Sequence, residues 1–244
     1  MTSVVSFSLY GDNPLYCVGA VENARLCAQA YPEWEVRVYT HVTVDPGVTT
    51  ALRHLGTRVI EVEESFADER ETIAKCCFWR FLAIDDPTVE VAIFRDCDSR
   101  VSDKERRAVQ AWIETGLPFH LMYDHPYHGT QIMAGMWGVR RGAFPSMGAL
   151  IQEYFARADS QYSLDRYYDQ HFLRDVIWSR YVSEGSYIAH GNAEMCSFHR
   201  QQGITITPYP AHDGFFPSGE HKQTFIGETV PCPAARPKPP RRPA

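Results

Sequence analysis

The chain has 244 residues, 44% hydrophobic and 22% charged, the composition of an ordinary globular protein and long enough for one elaborated domain with a large core. A formal net charge of -6 argues against a nucleic-acid backbone as the main partner, because such proteins present a basic surface. No apolar run approaches the roughly 18 residues of a membrane span and no signal-like segment opens the sequence, so a cytoplasmic protein is expected.

Strand and helix signals alternate through the first hundred residues. Val4 to Leu9 reads as a strand, and Asn13-Pro14 then supplies an N-cap and a first-turn proline for a helix running toward Tyr31. Glu35 to Tyr39 alternates as a second strand, Asp45-Pro46 starts a helix that Gly56 closes, and Arg58 to Val62 is a third strand. Asp68 with Glu71 resembles a capping pair for a third helix, whose Ile73, Cys77, Phe81 and Ile84 fall on one face. Asp85-Asp86-Pro87 breaks that helix before the apolar run Val91-Ala92-Ile93-Phe94. Such alternation predicts an α/β fold, a mostly parallel sheet covered by helices on both faces. Beyond Asp98 the signals loosen: a helix from Ser102-Asp103 to about Glu114, extended segments over 119–123 and 131–139, and helices over about 145–157 and 168–178. The last fourteen residues hold six prolines and four Lys or Arg, and read as a disordered tail or a basic segment that docks a partner. Seven cysteines without C-x-x-C or zinc-like spacing read as reduced, mostly buried thiols.

The most informative feature is Arg95-Asp96-Cys97-Asp98 directly after the fourth strand. Residues i and i+2 of an extended chain point the same way, so Asp96 and Asp98 place two carboxylates side by side at the strand's carboxyl end. A polar turn with capping aspartates would explain a lone D-x-D. In an open α/β sheet, however, ligands bind at that edge, and paired carboxylates suit Mg²⁺ or Mn²⁺ with open positions for phosphate oxygens.

The stretch W-R-F-L-A-I-D-D-P-T-V-E-V-A-I-F-R-D-C-D-S-R resembles the central segment of nucleotide-sugar-dependent glycosyltransferases of the GT-A fold, in style nearest the glycogenin and bacterial galactosyltransferase type. F-H-L-M-Y-D-H-P-Y-H and I-M-A-G-M-W-G-V-R-R-G resemble bacterial and viral relatives, and the likeness spans roughly residues 4 to 180. The resemblance implies a Rossmann-like GT-A domain over 1–230, its donor half about 1–100 and its acceptor half 101–230, followed by the Pro/Arg-rich tail 231–244. It implies a UDP-linked or other nucleotide diphospho-sugar donor, an unassigned acceptor, and Mn²⁺ or Mg²⁺ held by Asp96 and Asp98.

Arg80, one element before the aspartates, is expected on the donor diphosphate, with Arg100 a weaker candidate, because a guanidinium can hold phosphate oxygens bidentately. Tyr10 and Asp12 end the first strand where a nucleoside base would lie. A third metal ligand in the related enzymes is often a C-terminal histidine, for which His190 is preferred over His199 and His212. Asp169-Gln170 stands where related enzymes carry an acidic or amide residue near the anomeric carbon, although dipole compensation at a helix start explains Asp169 equally. Asp124 offers a second candidate base, His125 a polar acceptor contact, and Trp137 an apolar platform for a sugar face or else core packing.

Three other readings compete. A D-x-D phosphatase normally places its motif after the first strand. A nucleotidyltransferase calls for a glycine-rich basic loop that is missing here. A nucleotide-sugar-binding protein without turnover would retain the same fold.

Overall fold

The computed structural model describes residues 1–64, 66, 69–157, 167–192, 194–212 and 224–232. Asp68 of the expected capping pair and residues 233–244 of the expected tail lie outside them.

Strands β1 (Thr2–Leu9), β2 (Glu35–His41) and β3 (Arg58–Val62) alternate with helices α1 (Pro14–Ala30) and α2 (Pro46–His54). Both helices begin at the predicted Asx-Pro pairs: Asn13 Oδ1 accepts from Leu15 N at 3.0 Å and Asp45 Oδ1 from Gly47 N at 2.7 Å. Each cap satisfies one of the orphan N–H groups that any helix start leaves.

Helix α3 (Glu69–Cys76) is shorter than the apolar spacing predicts, and a separate 3₁₀ turn, Trp79–Asp85, follows it. The cause lies in β1. Ser6 Oγ donates to Arg80 O at 2.7 Å and Arg80 N donates to Ser8 Oγ at 3.0 Å, so the sheet supplies partners that a continuous α-helix would have provided.

Strand β4 (Val89–Arg95) lies parallel to β1 on the side away from β2. The remaining elements are α4 (Asp103–Thr115), β5 (Phe119–Tyr123), β6 (Met136–Arg140), α5 (Met147–Arg157), α6 (Tyr168–Phe172), α7 (Ser179–Tyr181), β7 (Tyr187–Gly191), α8 (Ser197–Gln201) and β8 (Ile206–Thr207). A π-helical turn, Leu173–Trp178, continues α6 into α7. The predicted strand over 131–139 begins only at Met136, because the residues before it turn past Asp96.

Among the described residues the sheet runs β3-β2-β1-β4-β6-β5-β7-β8. Only β6 is reversed, antiparallel to both β4 and β5, so β1, β4, β5 and β7 all end at the same edge. Alternate residues of β4 enter different cores: Val91 and Ile93 pack with Phe7, Val38 and Trp112, whereas Ala92 and Phe94 pack with Phe81, Trp137 and Phe172. The α/β expectation therefore holds, with both faces of the sheet covered.

Candidate functional site

The chain places β2 and β3 on one side of β1 and β4 on the other, which puts the switch point of the sheet between the ends of β1 and β4. Two loops meet that crevice, residues 10–13 after β1 and 96–102 after β4.

In the second loop the Asp96 side chain is 45% exposed and Asp98 is half-buried. Burial, and then the charge of Asp96, push the Asp98 carboxyl above the ordinary carboxylate range, a cost that the Thr229 hydroxyl eases by donating to Oδ2 at 3.0 Å. Val230 N adds a bond to Asp98 O at 2.8 Å. Gly135 comes so close that a Cβ on it would stand 1.9 Å from Asp96 Oδ2. The glycine before β6 thus makes room for the carboxylate, a role no local sequence signal announces.

Arg80, expected on phosphate oxygens, spends both terminal nitrogens inside the protein. Nη1 donates to Asp96 Oδ1 and to Arg95 O, and Nη2 donates to Asp169 Oδ2 at 2.9 Å. The residue is 4% exposed and its Nε is buried without a partner. Burial pulls the guanidinium's pKa down, but Asp96 and Asp169 more than reverse that and leave it raised. The geometry is a clamp between two carboxylates rather than an open fork.

Asp169 lies in the first turn of α6, buried, and also accepts from Gln170 N at 2.8 Å. Tyr167 occupies the cap position and makes no side-chain cap bond. Burial raises the Asp169 carboxyl's pKa against the pull of Arg80. Gln170 keeps a buried Oε1 with no partner. Tyr10 is half-buried, with its hydroxyl on Cys77 and its pKa raised chiefly by burial, while Asp12 is exposed. Arg100 is buried, and Nη1 serves the loop carbonyls Cys97 O at 3.1 Å and Ser99 O at 2.8 Å. It is a scaffold of the loop.

At the end of β5, Asp124 is held by Lys104 Nζ at 2.5 and 2.6 Å and by Ile226 N at 2.8 Å. With its lone pairs engaged by an ammonium and a peptide N–H, it is not poised as a base. His125 stacks on Phe225 with centroids 4.2 Å apart, and Tyr127 beside it is 89% exposed. Lys104 and the segment 224–230 were not legible in the sequence, since they approach only through the fold.

Two expectations are corrected. Trp137 is fully buried, its ring against Phe94 and Phe81 at 4.6 and 5.6 Å, because its strand faces the core at that register; it is no sugar platform. His190 is likewise buried on β7, sharing a 2.9 Å hydrogen bond between its Nδ1 and His120 Nε2, and burial lowers its pKa to about 4. His199 Nε2 bonds Thr130 O at 3.0 Å and its ring stacks on Tyr123. Among the described residues no three His, Cys, Asp or Glu side chains group to hold a metal ion, so neither these two nor His212 completes a triad with Asp96 and Asp98. No helix among the described residues is long and apolar enough to cross a membrane.

No family model and no curated protein matches the sequence. Among solved structures, the chain is similar to a glycosyltransferase involved in the glycosylation of the major capsid of PBCV-1, with 14% identity, 78% of this chain and 82% of that one covered, and a TM-score of 0.47. It is similar to glucosyl-3-phosphoglycerate synthase from Mycobacterium tuberculosis in complex with Mn²⁺, UDP and phosphoglyceric acid, at 11% identity, 88% and 71% coverage and a TM-score of 0.44. It is also similar to 4-diphosphocytidyl-2C-methyl-D-erythritol synthase from Anaerococcus prevotii, at 8% identity, 80% and 90% coverage and a TM-score of 0.46. Any activity has to be read from this chain's own side chains.

Proposed function

We propose that the protein is a metal-dependent glycosyltransferase that moves a sugar from a nucleotide diphospho-sugar, UDP-linked, to an acceptor. The observation that carries this reading is the cluster at the switch point, where Asp96 and Asp169 both pair with Arg80 and Asp98 lies within the electrostatic reach of Asp96. Even with the Arg100 guanidinium, which feels the charge of Asp98, three carboxylates leave a formal surplus of negative charge. Such a surplus is tolerated where a cation completes the site.

The residues present fit Mg²⁺ or Mn²⁺, which is commonly held by one or two carboxylates, the remaining positions going to water and substrate phosphate. Asp96 and Asp98 would hold it, and the missing Cβ of Gly135 keeps Asp96 Oδ2 uncrowded. When bound, such a cation neutralises charge on the departing diphosphate. Arg80 fixes the direction of Asp96 and Asp169 together. We assign Asp169 and Gln170 to the sugar end, where the partnerless Oε1 of Gln170 can accept from a sugar hydroxyl. Tyr10 and Asp12 are assigned to the base, and His125 to the acceptor side.

A nucleotide-sugar-binding protein without turnover uses the same contacts, and the pairing of Asp169 with Arg80 and Asp124 with Lys104 favours it, since each candidate base is already matched by a cation. Slow hydrolysis of a UDP-sugar with Mn²⁺ separates the two readings.

The test is calorimetric titration of UDP with Mn²⁺ and with EDTA on the wild type and on Asp98→Asn. Mn²⁺ should tighten UDP binding to the wild type and make little difference to the variant. UDP-sugar turnover by the variant should fall about a hundredfold or more, the scale of one lost electrostatic contact to the leaving charge. Equal UDP affinity of the wild type in both buffers would sink the metal-dependent donor site.

A further inference from the structure

A loop that leaves the hydrogen-bond ladder at Arg95 needs new partners for its peptide groups. Besides Arg100 and Val230 N, it finds several of them in one side chain of the neighbouring helix. Asn23 lies on the buried face of α1, 1% exposed, among the small and apolar residues Gly19, Ala20, Ala24 and Cys27. Its Nδ2 donates to Ser99 O at 2.8 Å and reaches Asp96 O and Cys97 O at 3.4 Å each. Its Oδ1 accepts from Val101 N at 3.1 Å.

Gly19, one turn earlier on the same face, lets the helix approach until a Cβ there would stand 1.9 Å from Cys97 O. Cys97 Sγ ties the loop to β1 through Ser8 O at 3.2 Å. The main chain of the loop is thus held from the interior, while the Asp96 carboxylate stays partly exposed.

A side-chain amide is the group this position calls for. It has two N–H donors for the carbonyls and one oxygen for Val101 N. Aspartate has no donors, leucine has neither kind of group, and glutamine is one methylene too long for a packed interior.

We propose that Asn23 is a positioning residue that presets the loop carrying Asp96 and Asp98, holding the two carboxylates side by side against their repulsion before a cation arrives. The link to a cation rests on the metal-dependent donor reading above. The link to the loop rests on the hydrogen bonds alone.

The experiment compares wild type, Asn23→Leu, Asn23→Asp and a core control, Val38→Ala, at a temperature where circular dichroism finds all of them folded. Hydrogen exchange is followed at the Val101 amide and across the peptide spanning 95–102, and UDP is titrated with Mn²⁺ and with EDTA. In Asn23→Leu the loop should exchange about tenfold faster or more, the equilibrium worth of a lost buried hydrogen bond, while β2 is unchanged. The Mn²⁺-dependent gain in UDP affinity should shrink by a similar factor. Asn23→Asp keeps the acceptor for Val101 N, so that amide should stay protected while the rest of the loop loosens. Should Asn23→Leu fail to fold, Asn23→Asp decides. Unchanged exchange in the loop overturns the proposal, as does an equal loosening in Val38→Ala. A wild type with no Mn²⁺-dependent gain defeats the donor reading alone, and the exchange of the loop still decides the role of Asn23.

Discussion

The loops after β4 and after β5 both end a strand at the same edge of the sheet, and both carry buried or half-buried carboxylates, yet their charges are balanced in opposite ways. Asp124 after β5 is matched inside the chain by Lys104 and by Ile226 N. After β4, Asp96 has a guanidinium that it shares with Asp169, and Asp98 accepts from the Thr229 hydroxyl and a backbone N–H, with no lysine or arginine among the described residues bonded to it. The carbonyls of that loop, in contrast, are taken up from within, those of Asp96, Cys97 and Ser99 by Asn23 and Arg100 and that of Asp98 by Val230 N. On the proposed donor reading, a backbone held firmly beneath carboxylates that lack a full set of cationic partners is where an outside cation would sit. A carboxylate satisfied from within marks a structural tie.

The largest way to break this comparison is to remove Arg80. Arg80→Met leaves Asp169 buried beside an unpaired Asp96, and loss of one partner of such a pair costs about 3–5 kcal/mol. Urea unfolding of Arg80→Met, of Asp169→Asn and of the double variant measures it. The double variant should recover a good part of the loss, and a single-variant loss below about 1 kcal/mol would mean that the clamp is weak.

A smaller effect is expected at Lys104, whose side chain is 14% exposed and so keeps some contact with water. Lys104→Met should cost about 2 kcal/mol, near the lower end for leaving a buried charge unpaired. UDP affinity with Mn²⁺ should stay within a few-fold of wild type. A loss of metal dependence in Lys104→Met would erase the distinction between the two loops and move Asp124 into the donor site.

The smallest effect sharpens the comparison by its sign. The Asp98 carboxyl is raised in the folded protein by burial and by Asp96, so the folded state holds its proton more tightly than the unfolded chain does. Its stabilising contribution is complete below the ordinary carboxylate pKa and is lost as pH rises through the raised folded value. In metal-free protein at pH 7, Asp98→Asn should therefore raise the melting temperature by a few degrees, for about 1 kcal/mol. The gain should vanish as the pH is lowered below the carboxylate range. A melting temperature lowered at pH 7 would show that ionised Asp98 is stabilising, and that the loop is not short of positive charge.

Much of the first hundred residues was legible residue by residue. Asn13-Pro14 and Asp45-Pro46 start helices as expected, and the alternation of β4 sends neighbouring residues to opposite cores. The choice between platform and core for Trp137, and the preference for His190 as a ligand, were decided by the fold for one reason. A large aromatic or a histidine next to an apolar run looks the same whether its strand faces a ligand or the core, and only the register with β4 and β5 decides which. Asn23 left a trace, a lone amide on a face of small and apolar residues, but its partners lie more than seventy positions away.

The sequence by itself determined the local structure at the start of the chain and the position of the two aspartates at a strand end, because caps, periodicity and the two-residue repeat of a strand are short-range properties. The clamp from Arg80 to Asp169, the neutralisation of Asp124 by Lys104 and the seat of the loop on Asn23 were decided only by the tertiary structure. Each joins groups from separate elements, and a charge or a peptide group finds its partner through space, where separation along the chain carries no information about distance.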